Sequence, residues 1–261
     1  MIRTFDEIVK VAKEKGPRTL AVAAADDADV LSAVSAAKDL GIAEAILVGD
    51  KEGIEKAAAE KDIDLSGFEI LHEADKVEAC KKAVSLISEG KAHLVMKGLV
   101  DTSIILRAIL EEKAGLRTGN VLSHVAVFEV EGYDRLFYVT DAAMNIAPDL
   151  KQKKQIIQNS VKVAHALGND EPKVAVLAAV EKVNPKMEAT VDADKLVKMY
   201  EAGEIQGCTI GGPFALDNAV SIEASKHKGI DHPIAGNADI LMVPVIEAGN
   251  MLYKSMVYFA N

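Results

Sequence analysis

The sequence predicts an α/β fold, in which a largely parallel sheet carries helices on both faces. Short apolar runs of strand length alternate with longer amphipathic stretches along the chain, and this alternation is typical of that class. Tryptophan is absent and aromatic residues make up only 4% of the 261 residues. We therefore expect a core built from Ala, Val, Ile, Leu and Met.

The first half of the chain contains four strand–helix alternations. Thr4 and Glu7 have capping-box spacing and begin a helix that Gly16-Pro17 closes. Asp26 is the expected cap of the next helix, and Gly41 is its stop. The predicted strands are 19–23, 45–48, 68–71 and 93–96, and the predicted helices between them are 26–40, 52–60 and 76–88.

The second half begins with a predicted hairpin. Two apolar runs, 121–129 and 136–140, are joined by the turn sequence Glu-Gly-Tyr-Asp, so we expect a mixed sheet. The renewed alternation after it places a domain boundary within 120–140. The later predicted elements are a helix at 149–167, strands at 174–179, 208–210 and 240–243, and helices that open at Asp192, after Asp217-Asn218 and at Glu247.

Composition excludes several functional classes. The net charge of −10 argues against a general nucleic-acid or membrane-surface binder, which would carry a basic face. Cys80 and Cys208 form no metal-type pair, and they predict a reduced, cytosolic compartment. The N-terminus lacks the apolar core of a signal peptide, and no apolar run approaches the ~20 residues of a membrane helix.

A central stretch, 138–148, is the first candidate for chemistry. An apolar run ends at Val139, small and polar residues follow, and Pro148 stands where a long helical pattern begins. A strand, a polar loop and a helix N-terminus in this order build anion sites in open α/β sheets. An ordinary strand-to-helix turn is an equally weighted alternative. Polar or Gly-rich loops recur after the strands that end near 179, 210 and 243.

A second candidate is the loop 97–103, which precedes a helix containing Arg107. Backbone N–H groups at Thr102 and Ser103 would face an anion, and Arg107 could add a forked donor. The alternative is that Asp101 or Thr102 only caps the helix. Ser123 and His124 interrupt an apolar run, and a lone histidine there is more often a hydrogen-bonded structural residue than a base.

Several motifs that carry chemistry are absent from the sequence. There is no G-x-S-x-G elbow, no P-loop, no G-x-G-x-x-G after the first strand and no metal-ligand spacing. Position 142, inside the central stretch, is Ala rather than a nucleophile. The residues by themselves therefore support a cleft enzyme that handles an anionic ligand without a covalent residue or a metal.

Five motifs occur in an order typical of one family. They lie at 141–145, 179–187, 211–219, 232–239 and 244–254, where the last combines Pro244, Glu-Ala-Gly-Asn and Tyr-Lys. In these motifs the chain resembles the phosphate acetyl/butyryl transferase family, and the loop after position 179 has the form of its phosphate butyryltransferase branch (phosphotransbutyrylase). The resemblance extends from about residue 20 to the end of the chain.

The resemblance implies a reaction, acyl-CoA plus phosphate giving acyl phosphate plus CoA, by direct attack in a ternary complex. It implies no cofactor, with coenzyme A as a substrate, and small-molecule partners without nucleic acid or membrane. It further implies a cytoplasmic homo-oligomer, a dimer or a multiple of dimers. The implied fold has two doubly wound three-layer α/β/α domains, 1–122 and 123–261. A cleft lies between them, as in isocitrate and isopropylmalate dehydrogenases.

The resemblance also implies site residues. We expect Arg107, Asp217 and Asn145 to be catalytic. Asp217 and Glu247 are equally explained as helix caps. No residue is expected to bind a metal. The expected substrate-binding residues are Thr102, Ser103, Ser123, Asp141, Gly211, Gly212, Pro213, Gly236, Glu247, Gly249, Asn250 and Lys254.

The chain departs from the family pattern after Tyr258. Family members continue with a strand and a helix that bring a Ser-Arg pair and, in acetyl enzymes, a proposed catalytic acid. This departure leaves the general base open. It motivates a second hypothesis, a non-catalytic acyl-CoA or acyl-phosphate binding module. A third, a nucleotide-dependent dehydrogenase, is disfavoured because the Gly-rich fingerprint is absent.

Overall fold

A computed structural model describes residues 1–113 and 115–259 of the chain. Strands and helices alternate throughout, which confirms the predicted α/β class. The strands are β1 (Arg18–Ala23), β2 (Ala43–Gly49), β3 (Glu69–His72), β4 (Leu94–Lys97), β5 (Ala126–Glu129), β6 (Leu136–Thr140), β7 (Lys173–Leu177), β8 (Thr209–Phe214) and β9 (Ile240–Met242). The helices are α1 (Phe5–Lys15), α2 (Ala28–Asp39), α3 (Lys51–Ala59), α4 (Lys76–Ser88), α5 (Thr102–Ile109), α6 (Leu150–Ala166), α7 (Glu188–Glu201), α8 (Leu216–Val220), α9 (Ile222–His227) and α10 (Ile246–Phe259).

The chain forms two compact units, of which one is Val9–Gly119. Its four-stranded sheet is parallel, with the strand order β3-β2-β1-β4. One sheet face packs on α2 and α3 around Leu31 and Ile54, and the other packs on α4 and α5 around Val84 and Ile105. Helices on both faces give this unit three layers, because each face of a parallel sheet must be covered.

The other unit consists of Met1–Ile8 and Asn120–Asn261. Its five-stranded sheet has the order β5-β6-β9-β7-β8, and β5 runs antiparallel to β6. This confirms the predicted hairpin and the mixed sheet. Helices α6 and α7 cover one face around Ile156 and Leu196, while α8 and α10 cover the other around Ala219 and Leu252.

The first residues of the chain pack on this second unit. The Ile2 N–H donates to the Leu167 carbonyl at 3.0 Å, and the Phe5 N–H donates to the Glu129 carboxylate at 2.7 Å. The compact units therefore differ from the limits 1–122 and 123–261 at residues 1–8 and 120–122. The two domains with those limits stay a prediction.

The structure corrects two of the predicted helix starts and agrees with a third. Asp27 rather than Asp26 caps α2, since its side chain accepts the Val30 N–H at 2.9 Å. Helix α6 carries the capping box of Asp149 and Gln152, at the predicted start. Helix α7 begins before Asp192, which lies inside it and is buried. The carboxylate of Asp192 pairs with a buried lysine instead of capping the helix.

Strand limits also differ from the prediction. Strand β5 begins only at Ala126, because the backbone groups of Val121, Leu122 and His124 bond to side chains of α6, of the loop after β6 and of Thr140 rather than to the backbone of a strand. Strand β8 continues through Phe214, so Gly211, Gly212 and Pro213 lie within the strand and not in a loop after it. The helix expected after Asp217-Asn218 is broken at Ser221 into α8 and α9.

Candidate active site

The candidate site lies at the carboxyl edge of the five-stranded sheet. Strands β6, β9 and β7 are parallel neighbours, so their carboxyl ends meet at one edge. The central loop, residues 141–148, follows β6, and helix α10 follows β9. Ligands of open α/β sheets bind at such edges. This edge brings together the second-half site residues that follow β6 and β9.

Asp141 organises the central loop. Its side chain is buried, and Oδ1 accepts the N–H groups of Ala143 and Met144, both at 2.9 Å. Oδ2 accepts from the Asn145 amide at 2.6 Å. Because both carboxylate oxygens already have donors, the observed role of Asp141 is to fix the loop's shape.

Asn145 joins the central loop to the segment 121–125. Its Nδ2 donates to Asp141 and also to the Leu122 carbonyl at 2.9 Å. Thr140, the last residue of β6, donates from Oγ1 to the His124 carbonyl at 2.7 Å. The amide group of Asn145 is therefore a structural cross-link at the edge where a substrate would bind.

Helix α6 holds the same segment from its other side. Asn159 donates from Nδ2 to the Val121 carbonyl and to the Ser123 hydroxyl, both at 2.9 Å, and Gln155 accepts the Val121 N–H at 2.7 Å. The sequence analysis missed Gln155 and Asn159. Two amide side chains four residues apart on the helix after the central loop were the signal, since such residues share one helix face.

His124 lies where this segment meets helix α10. Its ring stands edge-on to the Tyr253 ring, with centroids 5.8 Å apart and an interplanar angle of 88°. Its Nδ1 is enclosed and has no hydrogen-bond partner among the described residues. The structural hydrogen bond that sequence reasoning expected of this side chain is therefore not made through Nδ1.

Helix α10 reaches the central loop by backbone contact. A Cβ on Gly249 would lie 2.5 Å from the Asp141 carbonyl oxygen, so only glycine fits there. The next residue, Asn250, donates from Nδ2 to the Ala142 carbonyl at 3.3 Å. Glu247 is exposed in the first turn of α10, and the Lys254 ammonium stands 5.9 Å from the Tyr253 ring centre.

The remaining glycines of the predicted site are explained by packing. A Cβ on Gly211 would lie 2.5 Å from the His232 ring, and one on Gly212 would lie 2.9 Å from the Val176 carbonyl oxygen. Gly236 has a φ of +72°, and a Cβ there would lie 2.5 Å from the Ile222 backbone. Pro213 is buried in β8. These contacts require small residues whether or not a ligand binds nearby.

Asp217 belongs to a charged network that sequence reasoning did not find. Lys228 contacts Asp217 at 3.1 Å and Glu181 at 2.7 Å, and the buried Asn218 also donates to Glu181. The hydrogen bond from Lys228 is the main reason that the pKa of Glu181 lies below its usual range. Asp217 is not the cap of α8, because Ala215 occupies that position.

The early candidate residues belong to the Val9–Gly119 unit. Asp101 occupies the cap position of α5, but its side chain makes no capping hydrogen bond. Thr102 and Ser103 begin that helix and are exposed, while Arg107 lies in its last turn. Arg107 is exposed, and none of the ion pairs within residues 1–113 and 115–259 includes it.

The family is shown by direct comparison. The family described as "Phosphate acetyl/butaryl transferase" matches residues 3–81 and 71–261. The chain belongs to this family. All five motifs lie within the matched residues, which confirms the resemblance drawn from the sequence.

Relatives within the family match nearly the whole chain. "Phosphate butyryltransferase" of Clostridium acetobutylicum is 52% identical over 258 residues, which are 99% of this chain and 86% of the relative. "Probable phosphate butyryltransferase" of Bacillus subtilis strain 168 is 51% identical over 246 residues, 94% of this chain and 81% of the relative. Such identity over such coverage places the chain near the butyryl branch of the family.

A solved structure carries the same fold. The branched-chain phosphotransacylase from Enterococcus faecalis V583 superposes with a TM-score of 0.82 at 34% identity, over 93% of this chain and 85% of that chain. The mixed α/β fold with parallel sheets and helices is therefore that of a phosphotransacylase.

Two features are absent from the described residues. No helix among them is long and apolar enough to cross a membrane. No group of three or more His, Cys, Asp or Glu side chains in that part of the chain could hold a metal ion.

Proposed function

We propose that this chain is a phosphate butyryltransferase, an acyltransferase that moves a butyryl or similar short-chain acyl group between CoA and inorganic phosphate. The observation that carries the proposal is 52% identity, over 99% of the chain, to a relative that bears this name. The carboxyl-edge site is consistent with it, because polar loops follow neighbouring strands there. No observation favours a binding module without turnover.

The reaction needs no covalent intermediate on the protein. A phosphate oxygen attacks the thioester carbonyl carbon, the new C–O bond forms, and the C–S bond breaks as CoA leaves with the electron pair. The proton that the attacking phosphate loses ends on the CoA sulfur. In the reverse direction a base assists the thiol. The protein's tasks are to hold two anions, align the reacting atoms and stabilise the oxyanion.

The catalytic assignments follow from this chemistry. Arg107 is the proposed phosphate contact, because it is exposed on α5, about one turn after Ser103, and no ion pair among the described residues includes it. Asn145 acts by positioning the central loop, since its Nδ2 already bonds to Asp141 and Leu122. The carboxylate of Asp217 already has a partner, the ammonium group of Lys228. The identity of the base stays open.

The binding assignments rest on position. Thr102 and Ser103 offer N–H groups at the start of α5, and Ser123 offers a hydroxyl at the carboxyl edge. Helix α10 contributes further groups beside the central loop. The proposed substrate contacts in the second unit are, in addition to Ser123, Asp141, Gly211, Gly212, Pro213, Gly236, Glu247, Gly249, Asn250 and Lys254.

The remaining properties are also proposals, supported by the family resemblance. The fold is of the isocitrate/isopropylmalate dehydrogenase type. Coenzyme A serves as a substrate, and no cofactor is required. The protein works in the cytoplasm as a dimer or a multiple of dimers.

A thiol-release assay tests the function. Free CoA should appear from butyryl-CoA only when phosphate is present, and butyryl-CoA should be consumed faster than acetyl-CoA. Release of CoA at the same rate without phosphate would show a thioesterase. Tight binding of butyryl-CoA with no release under either condition would show a binding module.

A further inference from the structure

His124 is placed beside the central loop by two contacts of its own and by one contact of its neighbour Ser123. Thr140 at the end of β6 donates to its carbonyl oxygen at 2.7 Å, and its ring packs edge-on against Tyr253 of α10 at 5.8 Å. Its neighbour Ser123 is fixed by Asn159 of α6 at 2.9 Å. The backbone and the ring of His124 are thus both held, at the edge where the acyl group is proposed to react.

The surroundings of the ring select one tautomer. Nδ1 is enclosed, and no described residue offers it a hydrogen bond. A proton on Nδ1 would be a buried donor without an acceptor, which folded proteins avoid more strictly than a buried acceptor without a donor. The proton of the neutral ring is therefore favoured on Nε2, because only Nδ1 is an enclosed nitrogen that lacks a partner.

We propose that His124 is a catalytic residue that donates a hydrogen bond from Nε2–H to the carbonyl oxygen of the acyl group. This inference rests on the proposed function. As phosphate attacks, negative charge develops on that oxygen, and a fixed N–H donor stabilises it more than it stabilises the bound thioester. The donor costs little reorganisation when the charge forms, because Tyr253 already packs against the ring and Thr140 already holds the backbone of His124.

A pair of amide substitutions separates donation from packing. In His124→Gln the side-chain amide can reach the position of Nε2, whereas in His124→Asn it reaches only the position of Nδ1. We expect His124→Asn to lower kcat by about 10²–10³-fold with little change in the KM for phosphate, as for loss of one oxyanion donor. His124→Gln should retain activity within about tenfold of the unsubstituted chain.

Activity data decide between the proposal and a purely structural ring. Equal kcat for both variants, whether high or low, would overturn it, once circular dichroism shows that both fold. A large rise in the KM for phosphate at unchanged kcat would also overturn it. If the unsubstituted chain itself fails to turn over butyryl-CoA, the proposed function fails and this inference fails with it.

The tautomer can be measured without any turnover. Nitrogen-15 spectra of the chain labelled at its six histidines distinguish Nδ1–H from Nε2–H rings, and the His124→Gln spectrum identifies the signal of His124. We expect the Nε2–H form. A signal typical of the Nδ1–H form would overturn the inference even in a fully active protein.

Discussion

The buried ion pair between Lys153 and Asp192 should decide much of the stability of the second unit. Lys153 Nζ lies 2.7 Å from Asp192 Oδ2, and the two side chains are only 7% and 11% exposed. Lys153 lies near the start of α6, the helix that follows the central loop. Asp192 lies near the start of α7, the helix that follows β7 and its exit loop. The pair thus ties together the bases of two loops at the carboxyl edge.

Removal of one partner leaves a buried charge without compensation. We expect Lys153→Met or Asp192→Leu alone to cost about 3–5 kcal/mol in unfolding free energy. For a unit of this size that corresponds to a fall in Tm of roughly 6–20 °C, at about 2–4 °C per kcal/mol. The double variant, Lys153→Met with Asp192→Leu, should recover most of the loss, because neither charge then remains buried.

Helix α7 also supplies the matched control. Lys198 and Asp194 are likewise 2.7 Å apart, but their side chains are 68% and 34% exposed. Lys198→Met should therefore change stability by only about 0–1 kcal/mol. Thermal and urea unfolding of the four variants would be followed by circular dichroism. Equal Tm shifts for Lys153→Met and Lys198→Met would refute the reasoning that burial makes the Lys153–Asp192 pair contribute more to the unfolding free energy.

Three further outcomes are expected. Arg107→Ala should raise the KM for phosphate or lower kcat/KM by ~10-fold or more, since one charged hydrogen bond is worth roughly 1.5–3 kcal/mol, and Arg117→Ala should not. Unchanged phosphate kinetics in Arg107→Ala would show that Arg107 does not contact phosphate. Cys80 and Cys208 are buried, so the double variant Cys80→Ala with Cys208→Ala should keep the activity of the unsubstituted chain. An acyl-enzyme detected by mass spectrometry would contradict direct transfer. Burial lowers the pKa of His232, whose Nδ1 accepts the Ile234 N–H at 3.2 Å. The unfolded chain therefore binds the proton first, and stability from this group, complete above about pH 6.5, is lost as the pH falls. His232→Asn should weaken this acid destabilisation in pH-dependent unfolding, and an unchanged pH profile would exclude His232 as its source.

Elements with strong local signals were predictable from the sequence. The helix that starts after Asp149 follows a capping box, and the hairpin follows from two apolar runs around a short Gly-containing turn. Both depend on residues that are close in sequence. Local patterns therefore carry enough information for such elements, and for the α/β class that their alternation indicates.

Other features depend on partners that are distant in sequence. Asp192 resembles a helix cap until Lys153, 39 residues earlier, is seen to neutralise it. Gly211 and Gly212 resemble a ligand-binding loop, but their small size is required by His232 and Val176. Only the folded chain shows these contacts, so the sequence pattern alone could not separate a binding glycine from a packing glycine.

The candidate site was predictable in place but not in detail. The order of the motifs located the central loop and helix α10, and Gly249 does stand where the two meet. The roles of Asp141 and Asn145 as internal hydrogen-bonding partners were not visible, because their partners include the backbone of the loop itself and of Leu122. Asn159 lies outside the five motifs, and Glu181, although it lies in the motif 179–187, pairs with Lys228, which no motif includes.

Phosphorus-31 spectroscopy of the purified chain with butyryl-CoA and inorganic phosphate tests the central claim most directly. Thiol titration of the same samples would measure free CoA in parallel. The account predicts that butyryl phosphate and CoA appear in equal amounts, and that added CoA and butyryl phosphate regenerate phosphate. Release of CoA without a butyryl phosphate signal, or binding of butyryl-CoA with neither product, would contradict it.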